Sequence, residues 1–296
     1  MANAFLNAGA TSLAAANWSD ATGYDSGTPT LYVQTGTQTI TGGLAPASGA
    51  YVALYNFDIL SGFSGTIGGQ AGSFAIETAN AAFSQTTQLP RVRHWASGGA
   101  LFYTPQGADG AITNECHYYQ LAGSGFSYVN GTAIVRRFEA ESGRGYIAPT
   151  IDSVATYRWT ITGGAVTIDG SVGSTKIHSL TIAGGQVILK RGVQGGTVAE
   201  NSVSEGLNVY GGQVTIDAYG ETIAKSTIAG SANVRVLNCG TITYLGLFGG
   251  TLDFSALQRP LTITTLAAAP GATVIPSPLL TITNYYPIGS GANGLT

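Results

Sequence analysis

Charge is scarce in this sequence. Lys, Arg, Asp and Glu make up 9% of its 296 residues, against roughly 25% in an ordinary soluble domain. The net charge is −3, and the basic residues never gather beyond the pairs Arg136-Arg137 and Lys190-Arg191. Without a phosphate-tracking stripe, nucleic acid is not expected as a partner. No run of about 20 apolar residues is present, so no membrane-spanning helix and no membrane partner are expected. The opening stretch MANAFLNAGATSLAAANW has no basic n-region and no continuous apolar h-region. It does not read as a secretory signal, and folding in a cytoplasm is expected. Cysteine is nearly absent: Cys116 and Cys239 are too few for a disulfide scaffold. They read as two small buried side chains, with one long-range bridge as the alternative.

Helical periodicity is missing too. Only TSLAAAN (Thr11 to Asn17) reads as a short helix. From residue 31 onward, short runs of β-branched and aromatic residues alternate with polar ones and stop at Gly, Asn, Asp or Ser. That is the pattern of an all-β chain. In place of charge stand 43 glycines and much Ser, Thr, Ala, Asn and Gln. Recurring Ile, Val, Leu, Phe and Tyr keep the chain out of the disordered class.

The pentapeptide TITGG occurs at Thr39 to Gly43 and again at Thr160 to Gly164. The second copy belongs to a series. Gly163-Gly164, Gly184-Gly185, Gly211-Gly212, Gly230-Ser231 and Gly249-Gly250 each lie between two stretches of alternating apolar residues. Ile161, Ile182, Val209, Ile228 and Leu247 precede them; Val166, Val187, Val214 and Leu252 follow, and Val234 fits the fourth unit if one residue is inserted there. Each unit is a strand, a glycine corner and a second strand. A unit of about 20 residues cannot bury its own apolar face, but stacked copies can. Val166, Val187, Val214, Val234 and Leu252 then form one aliphatic ladder inside a parallel β-solenoid. The long, uneven rungs favour the right-handed form. LTIT at Leu261 and again at Leu280 extends the series.

The expected organisation is an N-terminal arm or cap over 1–30, an irregular β region over 31–150, a regular solenoid over 151–285 and a tail over 286–296. Glycine corners recur in 31–150, but His94 and Ala96 break the apolar pattern ahead of Gly98-Gly99. That region is either wide rungs of the same solenoid or a separate β-sandwich-like domain.

Chemistry-bearing residues are sparse. Asp169 and Asp217 fall at the same outward position of their rungs, with Lys190 between them. Two rungs apart is roughly 10 Å, near the upper limit for an inverting carboxylate pair. A neighbouring lysine would hold both ionised, so an alternating charge stack is the favoured reading. Asp253 and Arg235 read as a second cross-rung pair. His94, His117 and His178 are isolated, with no metal-ligand spacing. No catalytic residue, cofactor or metal is expected, and the chain does not read as an enzyme. Candidate partner contacts are the aromatic and apolar residues near the ends: Phe5, Leu6, Trp18 and Tyr24, and Tyr285 and Tyr286. Each could equally cap a terminal rung.

The chain resembles structural proteins of tailed-phage virions. The resemblance rests on low-charge composition, the small-residue arm, stacked β units and the run ANWSDATGYDSGTP (Ala16 to Pro29) followed by QTITGGL (Gln38 to Leu44). It is similar first to capsid decoration (cement) proteins, then to tail spikes or head fibres. The resemblance implies homotrimers seated on the major capsid protein at the virion surface, joining adjacent capsomers. The alternative implies binding or cleavage of host surface polysaccharide.

Overall fold

A computed structural model of the protein describes residues 4–11, 17–19, 30–40, 56–67, 87–89, 91–104, 114–131, 134–148, 158–169, 177, 179–191 and 206–289. They belong to two compact units, Met1–Asp152 and Ser153–Thr296. Both are all-β and built as solenoids of stacked parallel strands, and no α-helix occurs among the described residues. The helix expected at Thr11 to Asn17 falls almost entirely outside the described residues.

The first unit contains β1 (Ala4–Phe5), β2 (Thr30–Val33), β3 (Thr39–Ile40), β4 (Asn56–Ile59), β5 (Thr66–Ile67), β6 (Thr87–Leu89), β7 (Arg91–His94), β8 (Gly99–Thr104), β9 (Asn114–Leu121), β10 (Phe126–Gly131), β11 (Ile134–Ala140) and β12 (Arg144–Ile147). One column of parallel pairs runs β1–β2–β4–β7–β9–β11. A second runs β3–β5–β8–β10–β12. These parallel pairs are not those of a β-sandwich. Alternation along the strands sends one register position inward at every rung: Val33, Ile59, His94, Leu121 and Ala140 align and are all buried. The corners stack so closely that a Cβ on Gly98 would meet the Gly65 carbonyl oxygen, and one on Gly125 that of Gly98.

The second unit contains β13 (Arg158–Ile161), β14 (Ala165–Asp169), β15 (Ser179–Ile182), β16 (Gln186–Arg191), β17 (Gly206–Val209), β18 (Gln213–Ile228), β19 (Asn233–Leu247), β20 (Thr251–Asp253), β21 (Leu261–Ala268), β22 (Thr273–Ile275) and β23 (Leu280–Pro287). Val166, Val187, Val214, Val234 and Leu252 pair residue for residue and are buried. A second inward column holds Trp159, Leu180, Leu207, Ser226, Leu245 and Leu266. A third holds Ile223, Ile242 and Ile263. The trailing glycine of the Gly-Gly corners carries the turn: Gly185 has φ 82° and Gly212 has φ 80°. A Cβ on Gly185 would also stand 2.6 Å from the Gly164 carbonyl oxygen. Only glycine satisfies both demands.

The two TITGG copies occupy different places in a rung. Thr160 and Ile161 precede their corner, whereas Thr39 and Ile40 pair with Thr66 and Ile67, which follow the Gly65 corner.

Candidate functional site

The densest cluster of interacting polar and aromatic side chains among the described residues lies on the outer face of the first unit. Alternation on β7 sends Val92 and His94 inward and Arg91, Arg93 and then Trp95 outward. On the next rung back, the same alternation places Asp58 opposite Arg93. Asp58 has no exposed surface, yet its carboxylate is held by two guanidinium groups. Arg93 Nε donates to Oδ1 at 3.0 Å, its second nitrogen donates to Oδ2, and Arg91 reaches Oδ1 at 3.3 Å. Hydrogen bonding to Asp58 raises the Arg93 pKa above its ordinary value. This is the paired state that a buried charge requires. Arg93 also lies 5.5 Å over the exposed Trp95 ring.

The cluster continues along the column. Phe5 stacks on Tyr32 at 5.1 Å. Tyr118 and Arg137 are register partners, and the Arg137 guanidinium sits 5.1 Å over the Tyr118 ring. Tyr118 donates its hydroxyl to Glu139, which also accepts from Arg137. Burial pushes the Tyr118 phenol up to about 12. Burial would raise Glu139 as well, but hydrogen bonds from Tyr118 and Arg137 outweigh it and hold the carboxylate below its usual range. Gln120 donates to Glu141 at 2.7 Å. The same unit carries a second aromatic stripe, where Tyr128 stacks on Tyr146 at 5.2 Å beside Phe126. Sequence reasoning missed this face. The available signal was RVRHW (Arg91 to Trp95), with arginine, arginine and tryptophan at every second position of a strand.

The residues singled out from the sequence fall as follows. Leu6 and Trp18 are buried at 7% and 2% exposure, and they form an antiparallel bridge. They cover the edge of β1, the capping role for these two residues. Phe5 is half-buried. Tyr24 lies outside the described residues. Tyr285 and Tyr286 are exposed at 58% and 57%. Asp169 and Asp217 do not share an outward position with Lys190. A register shift after Ile168 sets Asp169 opposite Arg191, and Asp169 is buried. Asp217 lies opposite Asn238 and accepts from its Nδ2 at 2.7 Å. Arg235 and Asp253 do pair across rungs, at 3.9 Å.

His94 is a buried, hydrogen-bonded histidine. It sits in the inward column with no exposed surface, its Nδ1 2.8 Å from Ser127 Oγ, and that oxygen accepts from Tyr119 Oη at 2.8 Å. Burial lowers its pKa to about 4. His178 and the side chain of His117 lie outside the described residues. Cys239 is a free, buried thiol. Among the described residues no group of three or more His, Cys, Asp and Glu side chains is placed to hold a metal ion, and no helix is long and apolar enough to cross a membrane. No protein-family model, curated protein or solved structure matches the chain.

Proposed function

We propose that this chain is a non-enzymatic structural protein of the virion, a decoration protein whose partner is the outer surface of the major capsid protein. The observation that carries this reading is the outer face of the first unit. Arg93 over Trp95 and Arg137 over Tyr118 are the residue types that anchor protein interfaces. They stand on paired strands, and their heads are pre-positioned by Asp58 and Glu139. Docking such groups costs little side-chain entropy. A stiff, hydrogen-bonded solenoid bridging neighbouring shell subunits resists outward pressure without catalysis. Attachment in several copies, a homotrimer in this reading, multiplies a weak single contact.

A second reading, a tail spike or fibre that binds surface polysaccharide, draws on the Tyr128–Tyr146 stack. Stacked rings of this kind can present apolar faces to sugar rings. Immunogold labelling of particles made in the producing host separates the two. Label over heads, lost with the double variant Arg93→Ala and Trp95→Ala, is the expected result. Label confined to tails selects the second reading, and particles without the protein overturn both.

A further inference from the structure

One inward position of the first unit is filled by a titratable side chain. His94 aligns with Val33, Ile59, Leu121 and Ala140, and like them it is buried. Its backbone is tied to both neighbouring rungs. Trp95 N donates to the Ile59 carbonyl at 2.9 Å, and the His94 carbonyl accepts from Ala122 N at 3.0 Å and from Gly123 N at 2.9 Å. Arg93 and Trp95 flank it in the chain, with their side chains on the outward face.

No carboxylate faces the ring among the described residues. β4 brings Ile59 against it, β9 brings Leu121 and Tyr119, and β10 brings Ser127. Tyr119 is the titratable group on that side, and it meets the ring only through Ser127, as a hydroxyl donor. Asp58, Arg91 and Arg93 belong to the outward face and are engaged with one another. A second ring proton therefore gains no anionic partner, and Nε2 makes no hydrogen bond. The Gly98 backbone favours the charged ring, but burial outweighs it and lowers the pKa to about 4. The imidazolium is favoured only where water reaches it.

From this we infer that His94 is an acid-operated latch on the Arg93–Trp95 face. Protonated, its ring leaves the inward column for water, β7 parts from β4 and β9, and Arg93 and Trp95 lose the positions in which they dock. The other members of the column take no proton, so the latch is a single residue. Return to neutral pH lets the ring back in and restores the face. That the face docks at all rests on the function proposed above; that β7 opens does not.

Hydrogen exchange on the full chain, free in solution, tests the opening. Rates at pH 7 and pH 4.5 are compared after correction for the intrinsic pH dependence of amide exchange. Peptides covering Arg91 to Trp95 should open at least tenfold more at pH 4.5, because the open strand takes up a proton that the closed one refuses. Peptides from β18 and β19 in the second unit should not. His94→Gln and, separately, His94→Leu, each with wild-type circular dichroism at pH 7, should lose the difference. Asp58 titrates in every one of these chains, so a rise that persists in a folded His94 variant overturns the inference. No rise in the wild type, or an equal rise in both units, overturns it too. Docking is read separately, on particles that carry the chain at pH 7. They should shed the wild type at pH 4.5 and keep the variants. Wild type that stays bound while β7 opens overturns the latch. Particles that never carry the chain overturn the capsid reading and leave the opening of β7 standing.

Discussion

Arg93 and Asp58 are register partners on adjacent rungs, and the arginine closes over a carboxylate that water does not reach. The pair is asymmetric, because the Arg93 side chain keeps 28% of its own surface exposed. Arg93→Ala therefore strands a buried charge with only Arg91 beside it. Its cost should be about 3 kcal/mol. Asp58→Asn frees two arginines that can turn to solvent and should cost less, about 1 kcal/mol. Urea unfolding of both variants checks the order, and a larger loss for Asp58→Asn would contradict it.

His94 makes the first unit sensitive to acid. Its folded pKa of about 4 lies below the ordinary 6.5 because burial disfavours the imidazolium. Between those values the unfolded chain holds a proton that the folded chain does not. Stability from this residue is complete above about pH 6.5 and declines as pH falls toward 4, by about 3 kcal/mol over the window. In His94→Gln the decline between pH 6.5 and 4.5 should be distinctly shallower, as read from urea midpoints at the two pH values.

Two glycines with the same backbone twist should differ in tolerance. Gly220 has φ 75° with nothing within 4 Å of an added Cβ. Gly185 has φ 82° and the Gly164 carbonyl oxygen in the way. Gly220→Ala should cost only the left-handed backbone penalty, about 1 kcal/mol. Gly185→Ala adds a backbone clash and should lower the melting temperature by clearly more. Equal losses would mean that corner stacking is not what holds the glycine there.

Cys239 should be protected from reagents in the folded protein. Burial pushes its thiol pKa up to about 11, so almost no thiolate is present at pH 8. Iodoacetamide labelling of the Cys239 peptide, followed by mass spectrometry, should be at least tenfold slower in buffer than in denaturant.

The second unit was readable because its inward positions are almost uniformly aliphatic. Val166, Val187, Val214 and Leu252 announce their register through equal offsets from glycine corners, Val234 lies one residue further from its own, and all five pair in one column. The first unit hid its rungs because its core uses residues that pattern reading assigns to the surface. His94 fills an apolar slot by bonding Ser127. Ala96, also buried, leaves that slot small. Asp169 misled for a different reason. A one-residue shift after Ile168 changes its partner, and no spacing count detects a bulge. The arginine–aromatic face was hidden for a third reason. Its members come from β4, β7, β9 and β11, so they adjoin only once the rungs are stacked.

Partners in the second unit sit close along the chain: Trp159 meets Leu180, 21 positions on, and Leu245 meets Leu266 at the same offset. Tension applied at its C-terminal side would therefore meet no long-range clamp among the described residues. Leu180 meets Leu207 27 positions on and Leu207 meets Ser226 19 on, so each rung that lets go would release a short, variable length, roughly 7 to 9 nm of extended chain. The unit would pay out its length in successive short steps, behaving under load as a yielding tether rather than a block that fails at once.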